Sequence, residues 1–144
     1  MNKQQRVSYL EKLLKKDPYG SMEVYYKGKR QKLPVYEIDL DYLIYNPYNG
    51  RIASRVKSYE KQNKPLDATN IEDIKIIEQF IEDASSGSNK NTFESLFTQG
   101  QLRYGIVTKD GVIIDGNRRA LLLRRVAEKK KERAISLVWS LKRN

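Results

Sequence analysis

Residues 102–131 constrain the fold more tightly than any other stretch of this chain. Leu102 to Thr108 and Val112 to Ile114 read as strands, and Asp110-Gly111 between them is a strong two-residue hairpin turn. Asp115-Gly116-Asn117 follows at once, and a helix runs from Arg118 to Lys131. Met22 to Tyr26 and Arg30 to Leu33 predict an earlier hairpin around Lys27-Gly28-Lys29. A hairpin early and a hairpin-then-helix late argue for an α+β fold rather than a doubly wound sheet.

The other segments fit around that frame. Lys3 to Lys16 predicts a helix, because Val7, Leu10 and Leu14 recur at steps of 3 and 4, and Asp17-Pro18-Tyr19-Gly20 stops it. Val35 to Leu40 alternates as a half-buried strand, with Tyr36, Ile38 and Leu40 on one face and Val35, Glu37 and Asp39 on the other. A turn-rich stretch, Asn46-Pro47-Tyr48-Asn49-Gly50, precedes a helix from Arg51 to Gln62 with Ile52, Val56 and Tyr59 inward. Asn63 to Ala68 is a linker, and Thr69-Asn70-Ile71-Glu72 has capping-box spacing for a helix carrying Ile74, Ile77, Phe80, Ile81 and Ala84. Ser85 to Asn89 reads as a polar, mobile loop. Asn91, with Glu94 three residues on, opens a short helix that Gly100 ends. Ala134 to Trp139 is a closing strand. The division expected is an N-terminal helix, 1–20, and one domain, 21–144.

Composition then narrows the chemistry. The 144 residues suit one domain, and 28 Lys and Arg against 18 Asp and Glu leave 28 − 18 = +10, which favours an anionic partner. With no Cys and no His there is no disulfide, thiolate nucleophile, imidazole base or Ser-His-Asp triad. A metal must be held by oxygen, which points to magnesium, calcium or manganese. The longest uncharged run is nine residues, Tyr42 to Gly50, and no apolar signal core follows Met1. A soluble, cytoplasmic chain with no membrane partner is expected.

The candidate site is Asp115-Gly116-Asn117-Arg118-Arg119. A helix N-terminus presents backbone N–H groups and the positive end of the helix dipole. Gly116 permits close approach of a ligand. Arg118 and Arg119 stand in a first turn that helix electrostatics would fill with acids, which makes sense if a bound phosphate offsets them. The same residues also read as an ordinary junction, with Asp115 or Asn117 as the cap and solvated arginines. Asp115 is the carboxylate fixed beside the loop, hence the candidate magnesium ligand and catalytic base; Glu37 and Asp39 are further acids or merely a wet strand face.

Ser95 to Leu102, then Gly105 to Ala120 with Asp115-Gly116-Asn117-Arg118-Arg119, resemble the ParB/sulfiredoxin superfamily, in an Asp-Gly-x-Arg-Arg variant. Asn46-Pro47-Tyr48-Asn49-Gly50-Arg51 resembles that family's Asn-Pro-x-x-x-Arg segment. The resemblance implies a mixed sheet with flanking helices, here with a helical insertion at about 63–91. It implies nucleoside tri- or diphosphate bound with magnesium, Gly116, Asn117, Arg118, Arg119 and Arg51 on the phosphates, and Gly100 and Arg103 at the base-contacting loop. Asn117 replaces the Glu of the cytidine-triphosphate-binding members, Arg103-Tyr104 replaces their Gln-Pro, and the sulfiredoxin Cys is absent. The implied role is a switch or sensor in a DNA-handling protein of partition, transcription or defence, with downstream domains as partners. With no His or Cys to act as a base, only carboxylates can activate water, so slow or absent nucleotide hydrolysis is expected.

The last predicted helix has a reading of its own. Arg124, Arg125 and Lys129, with neighbouring cations, form a stripe suited to a nucleic-acid backbone, or a solvated face tempered by Glu128 and Glu132. A sequence-independent DNA-binding module and a metal-dependent nuclease are therefore the alternative functions.

Overall fold

The computed structural model describes residues 2–26, 28–84, 86–99, 105–131 and 135–140, with 22, 24, 26, 86–88 and 135–140 described as backbone. The elements are α1 (Lys3–Leu14), β1 (Gly20–Tyr26), β2 (Lys29–Asp39), two 3-10 turns (Leu40–Tyr42 and Gly50–Ile52), α2 (Ala53–Glu60), α3 (Ile71–Ala84), α4 (Ser86–Gln99), β3 (Gly105–Val107), β4 (Ile113–Asp115), α5 (Asn117–Lys130) and β5 (Ile135–Ser140). The strands form one sheet in the order β1-β2-β5-β3-β4, in which only β5 and β3 run parallel. The fold is α+β with a mixed sheet. An isolated hairpin is marginal in water. β5 enters between β2 and β3 and joins the two hairpins into one surface.

Three larger differences from the sequence expectation concern β2, the β3–β4 connection and α4. β2 is a single strand through Pro34, which pairs with Ser21 just before β5 joins at Val35. A position with one flanking strand tolerates a residue that has no N–H to give. The β3–β4 connection spans three residues rather than two: Gly111 N–H donates to Thr108 O at 3.0 Å, and Thr108 N–H to Val112 O at 2.9 Å. Gly111 sits there at φ 86°, where a Cβ would stand 2.5 Å from Tyr42 O. The third difference is α4, which already starts at Ser86, so residues 86–89 of the expected loop and the expected start at Asn91 lie within the helix, while Ser85 lies outside the described residues.

The cap of α3 also lies one residue later than expected. Asn70 Oδ1 accepts from Asp73 N–H at 3.1 Å, while Thr69 is engaged by Asp67 through both its N–H and its hydroxyl. The preceding Asx turn consumes Thr69 and leaves the capping role to Asn70.

The main core gathers Leu10 of α1, Ile38 of β2, Leu40, Tyr45, Val56 of α2, Ile77 of α3 and Leu121 of α5. α1 belongs to this core, and Arg6 Nε, on a side chain only 5% exposed, donates to Asp110 O at 2.7 Å. α3 lies in the segment expected as an insertion, yet Ile77 and Ile81 complete the core, each worth about 1.5–3 kcal/mol when fully buried. A smaller cluster, Leu96 with Leu122 and Val126, seals α4 to α5. Among the described residues, no helix is long and apolar enough to cross a membrane.

Candidate functional site

Two segments 60 or more residues apart in sequence meet at the start of α5. The Asn117 side chain grips the backbone of Asn46 twice: Oδ1 accepts from Asn46 N–H at 3.1 Å, and Nδ2 donates to Asn46 O at 2.8 Å. Asn46 Oδ1 accepts from Tyr48 N–H at 3.0 Å, which tightens the Asn-Pro turn, and Asn49 Nδ2 donates to Ile114 O. The turn is thereby fixed against the junction of β4 and α5. Between them lies a cleft of about 640 Å³, walled by Gly50, Arg51, Asp115, Gly116, Arg118 and Arg119, with Ile81 and Ala84 of α3 contributing apolar surface.

The helix start in this cleft differs from both caps expected. Gly116 holds the N-cap position at φ 121° and ψ 18°, with no side-chain hydrogen bond to the first turn. Asp115 ends β4, paired with Ile106 and exposed, and the Asn117 amide is committed to Asn46. The first backbone bond of the helix runs from Ala120 N–H to Gly116 O at 2.8 Å. A side chain at position 116 would meet only Gly105 Cα at 3.6 Å, so the positive φ, not crowding, is what requires glycine.

Electrostatics favour an anion here. The described lining carries Arg51, Arg118 and Arg119 against Asp115, giving 3 − 1 = +2. Partial burial, then the nearby charges of Arg119 and Arg51, hold the Arg118 pKa below the ordinary guanidinium value. An anion among three guanidiniums relieves that mutual repulsion, and the positive end of the helix dipole adds to the attraction. Arg118 is also an anchor. Its Nε donates to Asn89 Oδ1 at 2.8 Å and its Nη2 to Thr92 Oγ1, tying α5 to α4, while Asn89 Nδ2 donates to Glu82 O at 3.3 Å near the end of α3. Sequence reasoning missed Asn89, Thr92, Ile81 and Ala84. An asparagine inside a helix is a mild sign of a second task, but nothing in its spacing names Arg118.

The remaining candidates lie elsewhere. Arg124 is turned inward rather than along a solvent stripe: its Nη2 donates to Leu40 O at 2.9 Å and to Leu43 O at 3.3 Å, and its guanidinium stands 4.7 Å over the Tyr45 ring. Arg125 pairs with Glu82 at 3.2 Å and Glu128 at 3.9 Å. Lys129 Nζ lies 5.9 Å from the rings of Phe93 and Phe97. The expected continuous basic stripe is thus broken by acids and rings. Asp39 Oδ1 accepts from Asp41 N–H and caps a 3-10 turn, and Glu37 is exposed on β2; neither lines the cleft. Gly100 and Arg103 lie outside the described residues. Among the described residues, no three acids converge as a metal cage. Asp115 is the one carboxylate of the described lining. That suits magnesium carried largely by a ligand's phosphates, with one protein carboxylate, better than a cage of protein ligands.

The chain matches no family model, no curated protein and no solved structure.

Proposed function

We propose that this cleft binds the phosphates of a nucleoside tri- or diphosphate, and that the chain is a ParB/sulfiredoxin-like module acting as a switch or sensor in a cytoplasmic DNA-handling protein. One observation carries the reading. Asn49 to Arg51 and Asp115 to Arg119, from segments that bear the resemblance, line one cleft, and Asn117 ties its helix start to the Asn-Pro turn. In this reading Arg51 and Arg119 hold phosphate oxygens, Gly116 admits them to the first turn of α5, and Arg118 adds charge while holding α4. Asp115 offers magnesium a single ligand and is the lone carboxylate base in the described lining, so binding without rapid turnover is the expected behaviour.

Isothermal titration with ATP, GTP, CTP and ADP in the presence of magnesium tests this. Saturable binding that is lost in Arg51→Ala and Arg119→Ala is the expected result. A ligand at 100 times its dissociation constant raises stability by about 2.7 kcal/mol, which a thermal melt detects. Absence of any nucleotide response in the wild-type chain overturns the reading.

A further inference from the structure

The nucleic-acid contact expected along α5 finds a better-built surface at the other end of the sheet. β5 pairs with β2 only from Val35 to Asp39, so residues 21–33 form a two-stranded arm that stands clear of the other described strands. The described residues of the arm carry Lys29, Arg30 and Lys32 against Glu23, which is 3 − 1 = +2, and Lys27 adds one more cation to the sequence between the two strands. Lys29, Arg30 and Lys32 are exposed, and none of the ion pairs among the described residues involves them. Register sets Tyr25 opposite Arg30 and Glu23 opposite Lys32, so these four share one face. Tyr25 is 77% exposed, leaving an aromatic surface beside a guanidinium.

We propose that this arm binds duplex DNA, lying in the major groove with its cations against the flanking phosphates. The major groove of B-DNA, about 12 Å wide, admits a two-stranded ribbon. The deep, narrow major groove of A-form RNA does not. Charge selects the partner, and the slim ribbon selects the groove. Because clustered cations carry the contact, binding is largely independent of sequence. The inference deepens the DNA-handling part of the proposed function but rests on the arm, so it and the nucleotide cleft fail in separate titrations.

The test is fluorescence anisotropy of the whole chain with a labelled duplex DNA of arbitrary sequence, between 50 and 200 mM salt. A Lys29→Gln, Arg30→Gln, Lys32→Gln variant keeps its circular-dichroism spectrum and shows a log–log salt slope shallower by about 2.7, the value for three lost phosphate contacts. Arg30→Gln alone flattens the slope by about 0.9, which keeps the test valid if the triple variant misfolds. Arg125→Gln with Lys129→Gln leaves the slope unchanged. No salt-dependent binding by the wild type, or a slope that follows α5 instead of the arm, overturns the proposal. Equal affinity for duplex RNA overturns the groove assignment.

Discussion

The two halves of α5 use the same residue type in opposite ways. In the first turn, Arg118 and Arg119 stand near Arg51 around a glycine-capped helix start, with like charge gathered in a cleft. Two turns on, Arg124 and Arg125 are matched by Glu78, Glu82 and Glu128, and Arg124 is drawn over Tyr45. Partial burial works against the Arg125 charge, yet its hydrogen bond to Glu82 and the charges of Glu78, Glu82 and Glu128 outweigh that and raise its pKa. The difference teaches that a count of cations along a helix says little about available charge. Its neighbours decide whether an arginine is offset by acids, as Arg124 and Arg125 are by Glu78, Glu82 and Glu128, or stands among like charges, as Arg118 does.

The sharpest way to break this comparison is to remove the inward arginine. Arg124→Ala strips donors from Leu40 O and Leu43 O, whose residues are buried, and leaves Glu78 without its cation. The expected loss is about 3 kcal/mol of unfolding free energy, measured by urea titration. Arg124→Lys recovers only part of it, since one ammonium cannot reproduce the planar fork over Tyr45. A loss under about 1 kcal/mol would mean that the second half of the helix is no more structural than the first.

Arg119 should respond the other way round. Arg119→Ala costs about 1.5–3 kcal/mol of nucleotide affinity by calorimetry, with a stability change within about 0.5 kcal/mol. Arg118→Ala is expected to lose affinity and stability together, because its bonds to Asn89 and Thr92 go with it. If Arg119→Ala destabilises as much as Arg124→Ala, the division between the halves fails.

How much of this was legible in the sequence depends on the range of the interaction. Periodicity exposed α1, α3 and the hairpins, and the run from Asp115 to Arg119 pointed to the helix start in the cleft, because those signals are local. The fate of Arg124 was not legible, since its partners Leu40 and Leu43 are over eighty residues away and are backbone carbonyls, which no residue type announces. Asn117 read as a cap for the same reason. An amide beside a helix start usually bonds to its own turn, and only the folded chain brings Asn46 within reach. The sheet order stayed hidden because β5 inserts between two hairpins that each looked complete.

A smaller effect probes the contact that draws Arg124 inward. Tyr45 donates its hydroxyl to Glu78 Oε2 at 2.8 Å. Burial holds its phenol well above the ordinary 10.0; Arg124 pulls the other way, and Glu78 pushes it further up. The unfolded chain ionises this group near pH 10 and the folded chain does not. Its stabilisation is therefore complete below pH 10 and declines as pH rises beyond it, by about 1.4 kcal/mol per unit. Tyr45→Phe costs about 1 kcal/mol at pH 7 and removes that share of the alkaline decline. The difference between the wild-type and Tyr45→Phe stability curves between pH 9 and 11 measures it. Parallel curves would show that Tyr45 ionises as easily folded as unfolded.

The smallest effect belongs to Arg125, and it tests whether the offset half of α5 is held by geometry or by charge alone. Its side chain is 38% exposed, and those of Glu82 and Glu128 are 41% and 70% exposed, so solvent screens both pairs. Exposed pairs of this kind contribute about 0–1 kcal/mol. Arg125→Gln keeps a donor for Glu82 and gives up only the charge, so the expected loss is about 0.5 kcal/mol or less, shrinking further as salt is raised to about 1 M, where the Debye length falls to about 3 Å. Arg124→Ala, by contrast, keeps most of its cost in the same salt, because its carbonyl partners are not screened away. Urea titrations of both variants at low and high salt separate the two. If Arg125→Gln proves as costly and as salt-resistant as Arg124→Ala, neutralisation by α3 is a structural lock along the whole second half of the helix rather than at Arg124 alone.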